Sequence, residues 1–281
     1  LMSGHTSFKI GGPADILVLP ESIEQLREVL KVVKETVVPL TLLGKGSNVL
    51  VRDKGIRGIV IKLGNMLRHF YEAEDLLVFG SGYSLALASY KAMECGKTGM
   101  EFAVGIPGSI GGAVYMNAGA YDGEMQNIVN CVKVMDLQGN ERVLTAEELN
   151  FGYRKTSLQN SGLIVTEVTL KMPSGNKDEI KSKMDDFSHR RISKQPLEMP
   201  SAGSMFKRPP GYFAGTLIDQ AGLKGYTVGG AQISTKHAGF VVNVGGATAA
   251  DVLQLIKDVQ TKIKAGVGVE LQPEVLVIGE E

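Results

Sequence analysis

Two glycine-rich, almost uncharged segments are the parts of this sequence best suited to hold a ligand. Residues 44–50 read GKGSNVL, and residues 105–121 read GIPGSIGGAVYMNAGAY. Glycine exposes backbone N–H groups and lets a phosphate or a planar ring approach the main chain. Two such segments in one chain suggest a long ligand with a pyrophosphate at its centre. Tight turns in a β-rich protein remain the alternative for either segment alone, because isolated glycine motifs are weak signals.

Three other places carry side chains that could take part in a reaction. Arg154 ends the run FGYR, and an arginine can pair with a carboxylate through two parallel hydrogen bonds. Ser204 stands in a turn of small residues beside Lys207 and Arg208. Glu274 is an acid inside an otherwise apolar β-like run. The alternatives are a surface arginine, an ordinary loop and an outward-facing edge residue.

Several common catalytic motifs are excluded. The triplet at 96–98, Gly-Lys-Thr, resembles the end of a P-loop, but Lys91 stands where that motif needs glycine, and the triplet follows a predicted helix. The run 105–112 fails as a dinucleotide fingerprint because no long amphipathic helix follows it. No GxSxG or HExxH motif occurs, and the four histidines are scattered, so no metal site is predicted.

Composition narrows the function classes further. The chain of 281 residues has 30 Lys plus Arg and 30 Asp plus Glu, so no basic surface favours nucleic acid. No apolar run approaches the ~18 residues of a membrane helix, and no signal peptide is recognised. The two cysteines, Cys95 and Cys131, fit a reducing cytoplasm and a packing role.

The elements that must position these residues follow from periodicity and capping signals. A helix is predicted to start after Ser22, with Gln25 as its capping-box partner, and a second helix over 84–95. Strands are predicted at 16–20, 40–43, 58–63, 76–80, 131–136, 142–145 and 163–171.

The second half of the sequence predicts a charged helix over 177–193 and then a proline-rich stretch, 196–210, without regular structure. Helices are predicted near 213–221 and over 249–265, the latter opened by a near capping box at Thr248. Strands are predicted at 227–233, 239–244 and 269–278, the last carrying Glu274. The mixture favours an α+β fold.

Taken together, the motifs are more specific than each is alone. GKGSNVL, GIPGSIGGAVYMNAGAY, FGYR, GSMFKRP and LQPEV occur in this order after an opening HTSFKIGGPAD. This order resembles the UDP-N-acetylenolpyruvoylglucosamine reductase family, flavoenzymes that complete UDP-N-acetylmuramate for bacterial peptidoglycan. The resemblance spans almost the whole chain. The interval from Arg154 to Ser204 leaves no room for the tyrosine-bearing loop of one subclass, so the chain resembles the loop-less subclass.

The resemblance implies a two-lobed α+β protein. An FAD-binding region of the vanillyl-alcohol-oxidase (PCMH) type would hold the flavin between two α+β subdomains, and a C-terminal α+β lobe would close the substrate over it. The expected domains are an FAD-binding region at 1–173 with subdomains at about 1–63 and 64–173, a linking helix at 174–195, a substrate-binding domain at 196–266, and a C-terminal strand with the catalytic glutamate at 267–281.

The resemblance also implies which residues bind the cofactor and the substrate, and it implies no metal ion. Non-covalent FAD would be held by Gly44, Lys45, Gly46, Ser47, Asn48, Gly105, Pro107, Gly108, Ser109, Gly111, Gly112, Asn117, Gly119 and Ala120. The UDP-linked substrate would be held by Tyr121, Tyr153, Arg190, Lys194, Gly203, Lys207 and Arg208.

The chemistry implied is a two-step reduction. NADPH would reduce the flavin and leave, and reduced FAD would then pass hydride to the enolpyruvyl methylene carbon. Arg154 and Glu274 would stabilise the enolate, and Ser204 would donate the proton. The resemblance implies a cytoplasmic monomer.

Two positions depart from the family pattern. Asp122 stands where GAYG has glycine, and Arg208 stands where many members have asparagine. Two rival functions remain: an oxygen-using FAD oxidase on the same fold, and a nucleotide-binding module without catalysis. Oxygen consumption with an alcohol would indicate the first, and NADPH consumption that depends on the enolpyruvyl substrate would exclude the second.

Overall fold

The chain is divided into two compact units that are not contiguous in sequence. The computed structural model describes residues 1–64 and 67–281. Unit 1 comprises Leu1–Ile16, Gly46–Gly58 and Ile192–Glu281, and unit 2 comprises Leu17–Lys45 and Ile59–Arg191. This division differs from the linear one expected from the sequence, because two early segments belong with the C-terminal part of the chain. The expected functional domain limits stay a prediction.

Six α-helices occur in the described residues. Their bounds are Ile23–Thr36 (α1), Leu85–Glu94 (α2), Ile110–Tyr115 (α3), Lys177–Lys194 (α4), Ala214–Gln220 (α5) and Ala249–Val267 (α6).

The strands of the first half are Ala14–Val18 (β1), Leu40–Leu43 (β2), Val49–Val51 (β3), Ile56–Lys62 (β4), Phe70–Ala73 (β5), Leu76–Gly80 (β6), Gly119–Ala120 (β7), Gly123–Glu124 (β8), Val129–Met135 (β9) and Glu141–Thr145 (β10). Those of the second half are Ile164–Lys171 (β11), Ser201–Ser204 (β12), Thr227–Val228 (β13), Ala231–Ile233 (β14), Phe240–Asn243 (β15) and Leu276–Ile278 (β16). The mixture confirms the α+β class.

The larger core of unit 2 lies on a five-stranded antiparallel sheet in the order β10-β9-β11-β6-β5. Phe79 and Val168 from this sheet, Leu85 from α2 and Ile110 from α3 are fully buried in one cluster. Helix α1 packs its own buried stripe against β4, whose parallel neighbour is β2. The strands therefore form a fixed platform for the glycine-rich segment that contains α3.

Unit 1 is organised around a four-stranded antiparallel sheet in the order β12-β15-β14-β13, with α5 and α6 in the same core. The apolar stripe predicted on α6 is confirmed, since Val252, Leu255 and Val259 are fully buried. A separate parallel pair joins β16 to β3. That pair brings the chain next to Glu274 beside the segment 46–58.

Helix starts were the most local predictions, and they are confirmed. Ser22 caps α1 by accepting a hydrogen bond from the Gln25 N–H at 3.2 Å, but the Gln25 side chain accepts from the Glu21 N–H and not from that of Ser22, so the predicted capping box is incomplete. Thr248 and Asp251 form a complete capping box at the start of α6. In each case a side chain satisfies an N–H group that the first helical turn leaves without a partner.

Three predictions about strands were wrong. The proline-rich stretch contains β12, because the prolines flank Ser201–Ser204 and the strand lies at a sheet edge, where a missing N–H costs little. The run 227–233 forms two strands joined by a turn, β13 and β14. The last strand is only β16, so Glu274 precedes it and is not part of it.

The substitution of aspartate for glycine at position 122 does not change the backbone class that the turn requires. Strands β7 and β8 form a hairpin with Tyr121 and Asp122 at its two central positions, at φ angles of 50° and 62°. Two-residue hairpins favour positive φ at both positions, and aspartate tolerates this better than most residues. The turn is therefore kept with Asp122 in place.

One residue of helix α1 ends it at a conformational cost. Val37, the C-cap, has a φ of 56° and is 88% exposed. We expect Val37→Gly to raise the free energy of unfolding by about 1 kcal/mol, because β-branched residues are strained in this conformation and glycine is not. Urea unfolding followed by circular dichroism measures the change.

Val32 supplies the matched control, since it is an exposed valine inside the same helix. The same change there, Val32→Gly, should lower the free energy of unfolding by about 0.5 kcal/mol. Two shifts of the same sign would contradict the assignment of strain to Val37.

Candidate functional site

The glycine-rich segment 105–112 is bound through residues 108–111 to the segment 80–85, within unit 2. The Gly111 N–H donates to the Ser81 carbonyl at 2.9 Å, the Ile110 N–H to the Tyr83 carbonyl at 2.9 Å, and the Leu85 N–H to the Gly108 carbonyl at 3.1 Å. A Cβ at position 111 would lie 2.6 Å from the Ser81 Cβ, so only glycine permits this approach. The segment is thus held rigidly, with small residues at its surface.

The two glycine-rich segments of the sequence meet in this unit. A Cβ on Gly44 would lie 3.2 Å from the Oγ of Ser109, a buried residue. Ser109 caps α3 by accepting from the Gly112 N–H at 3.3 Å. The next residue, Lys45, has its pKa lowered by partial burial, with Arg68 adding to the effect. A cation and several backbone amides therefore lie close to the junction.

Buried polar atoms without hydrogen-bond partners are positions where a ligand atom would be favourable. In the ranges 1–64 and 67–281, three buried side-chain atoms have no hydrogen-bond partner: Ser81 Oγ, Arg191 Nε and Gln195 Oε1. An unsatisfied buried polar atom costs about 1–3 kcal/mol, so each one needs an explanation. Ser81 lies against Gly111, where the segments 80–85 and 105–112 meet.

Arg191 lies at the other end of the same glycine-rich segment. Its Cδ occupies the space that a Cβ at Gly105 would need. Burial lowers the pKa of Arg191. A half-buried arginine whose Nε is fully buried and without a partner can bind an anion.

Arg190, the neighbouring residue predicted as a substrate contact, has different surroundings. It forms a two-pronged ion pair with Asp186 one turn earlier in α4, at 2.7 and 3.0 Å, and half of its side chain is exposed. The two arginines of the run HRR are therefore distinct, one paired on the helix surface and one buried beside the glycine-rich segment.

Arg154 is fixed in a tight turn of unit 2. Gly152 and Lys155 exchange backbone hydrogen bonds, which places Tyr153 and Arg154 at the tip. The Arg154 guanidinium donates to the carbonyls of Asn117, at 3.4 Å, and Gly119, at 3.2 Å. The structure thus brings the predicted catalytic arginine to the end of the second glycine-rich segment.

Two predicted contacts in this segment are engaged by the protein itself. The Asn117 side chain is fully buried, donates to Glu124 and to the Gly152 carbonyl, and accepts from the Gln126 N–H. Tyr121 stacks on Phe187 with ring centres 4.4 Å apart. Asn117 therefore fixes the turn that holds Arg154.

In unit 1, the segment from Ser204 to Lys207 is hydrogen-bonded on both sides. Ser204 pairs with Phe240 across β12 and β15, and the Met205 N–H donates to the Gly239 carbonyl at 2.8 Å. On the other side, the Glu274 N–H donates to the Met205 carbonyl at 2.8 Å. Ser204 is exposed, so its hydroxyl is presented at the surface of this unit.

Glu274 is held from two directions in the same unit. Besides its bond to Met205, its carbonyl accepts from the Asn48 side chain at 3.3 Å. The Leu276 N–H donates to the Asn48 carbonyl at 3.0 Å. Asn48, predicted as a flavin contact, therefore also positions the backbone of a predicted catalytic residue.

The predicted cations of unit 1 are distributed over two segments. The Lys207 N–H donates to the Gln272 carbonyl at 2.8 Å, which places Lys207 on the segment of Ser204. The guanidinium of Arg208 lies 3.9 Å from the centre of the Phe213 ring. Lys194 is exposed at the end of α4, next to Gln195 and its unpaired Oε1.

The residues predicted as the catalytic trio are thus divided between the units: Ser204 and Glu274 share unit 1, and Arg154 lies in unit 2. Sequence reasoning missed Ser81 and Arg191. The signal for Ser81 was present as Gly80-Ser81-Gly82, a serine between glycines after a predicted strand. The signal for Arg191 was the doubled arginine in HRR, but the sequence alone does not tell which of the two is buried.

Two kinds of site receive no support from the described residues. In the part of the chain that the structure describes, no group of three or more His, Cys, Asp or Glu side chains could hold a metal ion. None of the helices described there is long and apolar enough to cross a bilayer.

Comparisons with known proteins assign a family to both parts of the chain. Residues 14–145 match the family model of an FAD binding domain, and residues 195–278 match that of the UDP-N-acetylenolpyruvoylglucosamine reductase C-terminal domain. The chain is 52% identical to UDP-N-acetylenolpyruvoylglucosamine reductase from Clostridium perfringens (strain SM101 / Type A) and 49% identical to that from Clostridioides difficile (strain 630). Each alignment covers 100% of this chain and 92% of the relative.

A solved structure agrees with these relatives. The crystal structure of UDP-N-acetylenolpyruvylglucosamine reductase from Thermus caldophilus superimposes with a TM-score of 0.85 at 40% identity, covering 99% of this chain and 97% of the other.

The residues present fit an FAD. The cofactor carries a pyrophosphate, which needs hydrogen-bond donors and positive charge at close range. Ser81 Oγ and Arg191 Nε are buried donors without protein partners, and both lie against glycines of the segment 105–112. Within unit 2, these two groups and the amides around Ser109 would hold the cofactor.

We expect Arg191→Ala to weaken FAD binding by about 10- to 100-fold, which corresponds to the loss of a charge-assisted hydrogen bond of about 1.5–3 kcal/mol. The dissociation constant is measured by flavin fluorescence during reconstitution of the apoprotein. Gly105→Ala should have a similar effect, because the added methyl group displaces the Arg191 side chain.

Arg190→Ala is the matched control, since it removes the same charge one residue earlier from a surface ion pair. It should leave the FAD dissociation constant within about twofold. Equal losses in the two arginine variants would mean that net charge, and not the buried Arg191, determines cofactor affinity.

Proposed function

The chain belongs to the UDP-N-acetylenolpyruvoylglucosamine reductase family and is an FAD-dependent oxidoreductase, and from this premise we propose that it reduces UDP-N-acetylglucosamine enolpyruvate to UDP-N-acetylmuramate with NADPH as the hydride donor. The product is a precursor of peptidoglycan. FAD, when bound, supplies the redox chemistry by passing hydride from NADPH to the methylene carbon of the enolpyruvyl group.

Arg154 stabilises the charge that develops on the substrate. Addition of hydride to the methylene carbon pushes negative charge toward the neighbouring carboxylate, so a fixed cation lowers the energy of the enolate-like state. Two carbonyl contacts, to Asn117 and Gly119, support this role because they orient the guanidinium before substrate arrives. The positive φ of Arg154, 55°, is a strained conformation of the kind found at functional sites.

Ser204 donates the proton that completes the reduction, and Glu274 stabilises the enolate beside it. The observation that carries this assignment is the two-sided hydrogen bonding of the Ser204 segment, with Gly239 on one flank and Glu274 on the other. This arrangement fixes the backbone of the exposed Ser204 close to the backbone of Glu274. Lys207, on the same segment, makes the serine a better proton donor by stabilising its deprotonated form.

The cations that remain bind the UDP diphosphate. Lys194 at the end of α4 and Lys207 beside Ser204 lie in unit 1, and Arg190 supplies charge from α4. Tyr121, Tyr153, Gly203 and Arg208 are further substrate contacts in the proposal. We also propose that the enzyme works in the cytoplasm as a monomer of the loop-less subclass.

An anaerobic titration tests the function as a whole. Flavin absorbance of the purified holoenzyme should bleach when NADPH is added and recover when UDP-N-acetylglucosamine enolpyruvate is added. Because oxygen is excluded, recovery of the flavin absorbance identifies the nucleotide as the electron acceptor. Bleaching by an alcohol in place of NADPH, or no recovery with the enolpyruvyl nucleotide, would instead support an oxidase or a binding module.

Ser204→Ala should slow the recovery of flavin absorbance by about 10²- to 10⁴-fold, the usual contribution of a general acid. Bleaching by NADPH and the content of FAD should stay at the wild-type level, because neither needs the proton donor. Stopped-flow absorbance measures both half-reactions separately.

Ser201→Ala is the matched control, since Ser201 begins the same strand and pairs with Val242. It should leave both half-reactions close to wild type. Recovery at the wild-type rate in Ser204→Ala would remove Ser204 as the proton donor.

A further inference from the structure

The loop between β14 and β15 carries His237, three residues before β15, the strand that pairs with Ser204. Ser234 shapes this loop by accepting from the backbone N–H groups of Lys236, at 3.1 Å, and His237, at 3.2 Å. The Phe240 N–H closes the turn on the His237 carbonyl at 3.0 Å. The loop therefore has one defined conformation at the edge next to β12.

The His237 ring is attached to the residues that hold Ser204. Its Nδ1 accepts a hydrogen bond from the Gly239 N–H at 3.0 Å, and the ring packs edge-on against Phe240 with centres 5.1 Å apart. Gly239 in turn receives the Met205 N–H on its carbonyl, and Phe240 pairs with Ser204. A continuous series of contacts thus runs from the imidazole to the proposed proton donor.

We propose that His237 is a positioning residue for the proton-transfer step: its neutral imidazole, by accepting the Gly239 N–H, fixes the turn that holds Ser204 in place for the substrate. This inference rests on the proposed role of Ser204. His237 touches neither substrate nor cofactor in the proposal, and it acts only through Gly239 and Phe240.

The role requires an unprotonated Nδ1, and the surroundings keep it so. Burial lowers the pKa of His237 below its usual value near 6.5, with smaller contributions from Lys224 and Lys194, while a hydrogen bond to its own backbone and the charge of Asp219 oppose this shift. Glycine at position 215 of α5 leaves room for the ring, since a Cβ there would lie 3.2 Å from its Cε1. The imidazole is therefore neutral at pH 7, with its proton on Nε2.

Acidification should remove the contact. Protonation puts a hydrogen on Nδ1, so the ring can no longer accept the Gly239 N–H, and two N–H groups then face each other. Because the folded-state pKa is lowered, this happens below the ordinary histidine range and not within it. The proton-transfer step should slow only as the pH falls below the ordinary histidine pKa of 6.5, while flavin reduction by NADPH should not slow.

Two substitutions separate the acceptor from the ring. His237→Leu introduces an apolar side chain of similar size that has no hydrogen-bond acceptor. We therefore expect flavin recovery by UDP-N-acetylglucosamine enolpyruvate to slow by about 10- to 100-fold. His237→Asn carries an oxygen near the position of Nδ1 and does not titrate, so we expect it to keep most of the rate and not to slow on acidification. Bleaching by NADPH and FAD affinity should be unchanged in both.

Ser204→Ala is measured beside them to distinguish two failures. If Ser204→Ala recovers as fast as wild type, the proposed proton donor is wrong. If Ser204→Ala is slow and His237→Leu is fast, only the positioning role falls. The role is also overturned if His237→Leu slows both half-reactions equally, or if His237→Asn is as slow as His237→Leu.

Discussion

The close docking of the segment 105–112 onto the segment 80–85 is the contact on which unit 2 depends. Backbone hydrogen bonds join Gly108, Ile110 and Gly111 to the segment 80–85, and Gly111 approaches Ser81 too closely for any other residue. This contact fixes α3 against the five-stranded sheet and leaves Ser81 Oγ buried without a partner. Unit 2 therefore keeps a buried hydroxyl that a ligand atom would satisfy, and a preorganised group of this kind adds to affinity.

Unit 1 presents a different arrangement, in which backbone groups on both sides of the proposed proton donor, Ser204, have protein partners. The segment from Ser204 lies between a sheet strand and the segment of Glu274. Such a segment cannot shift without breaking bonds on both flanks. Preorganisation of this kind is what general-acid catalysis needs, since small displacements of the donor cost much of its effect. The units thus differ in what they leave unsatisfied.

The parts of the fold predicted correctly are those that depend on neighbours in sequence. Ser22, Thr248 and the stripe on α6 follow from spacing alone, because capping and helical periodicity are local. Arg190 and Arg191 could not be separated in this way, since the difference depends on Gly105, far away in the chain. Likewise, the strand at Ser201–Ser204 depends on its partner β15, which the prolines around it obscured. Five linked motifs identified the family, but the burial of individual side chains remained a matter of tertiary contact.

The interleaving of the two units has a consequence for how the chain is made. Phe8, Ile10 and Leu50 lie in the same core as residues of α6 and Val275. During synthesis these early apolar side chains emerge long before their partners, while unit 2 is completed once residue 191 has left the ribosome. Unit 2 is then the part that can fold first, and the early segments of unit 1 wait, exposed, for the end of the chain. Chaperone dependence should therefore be greatest for Leu1–Ile16 and Gly46–Gly58.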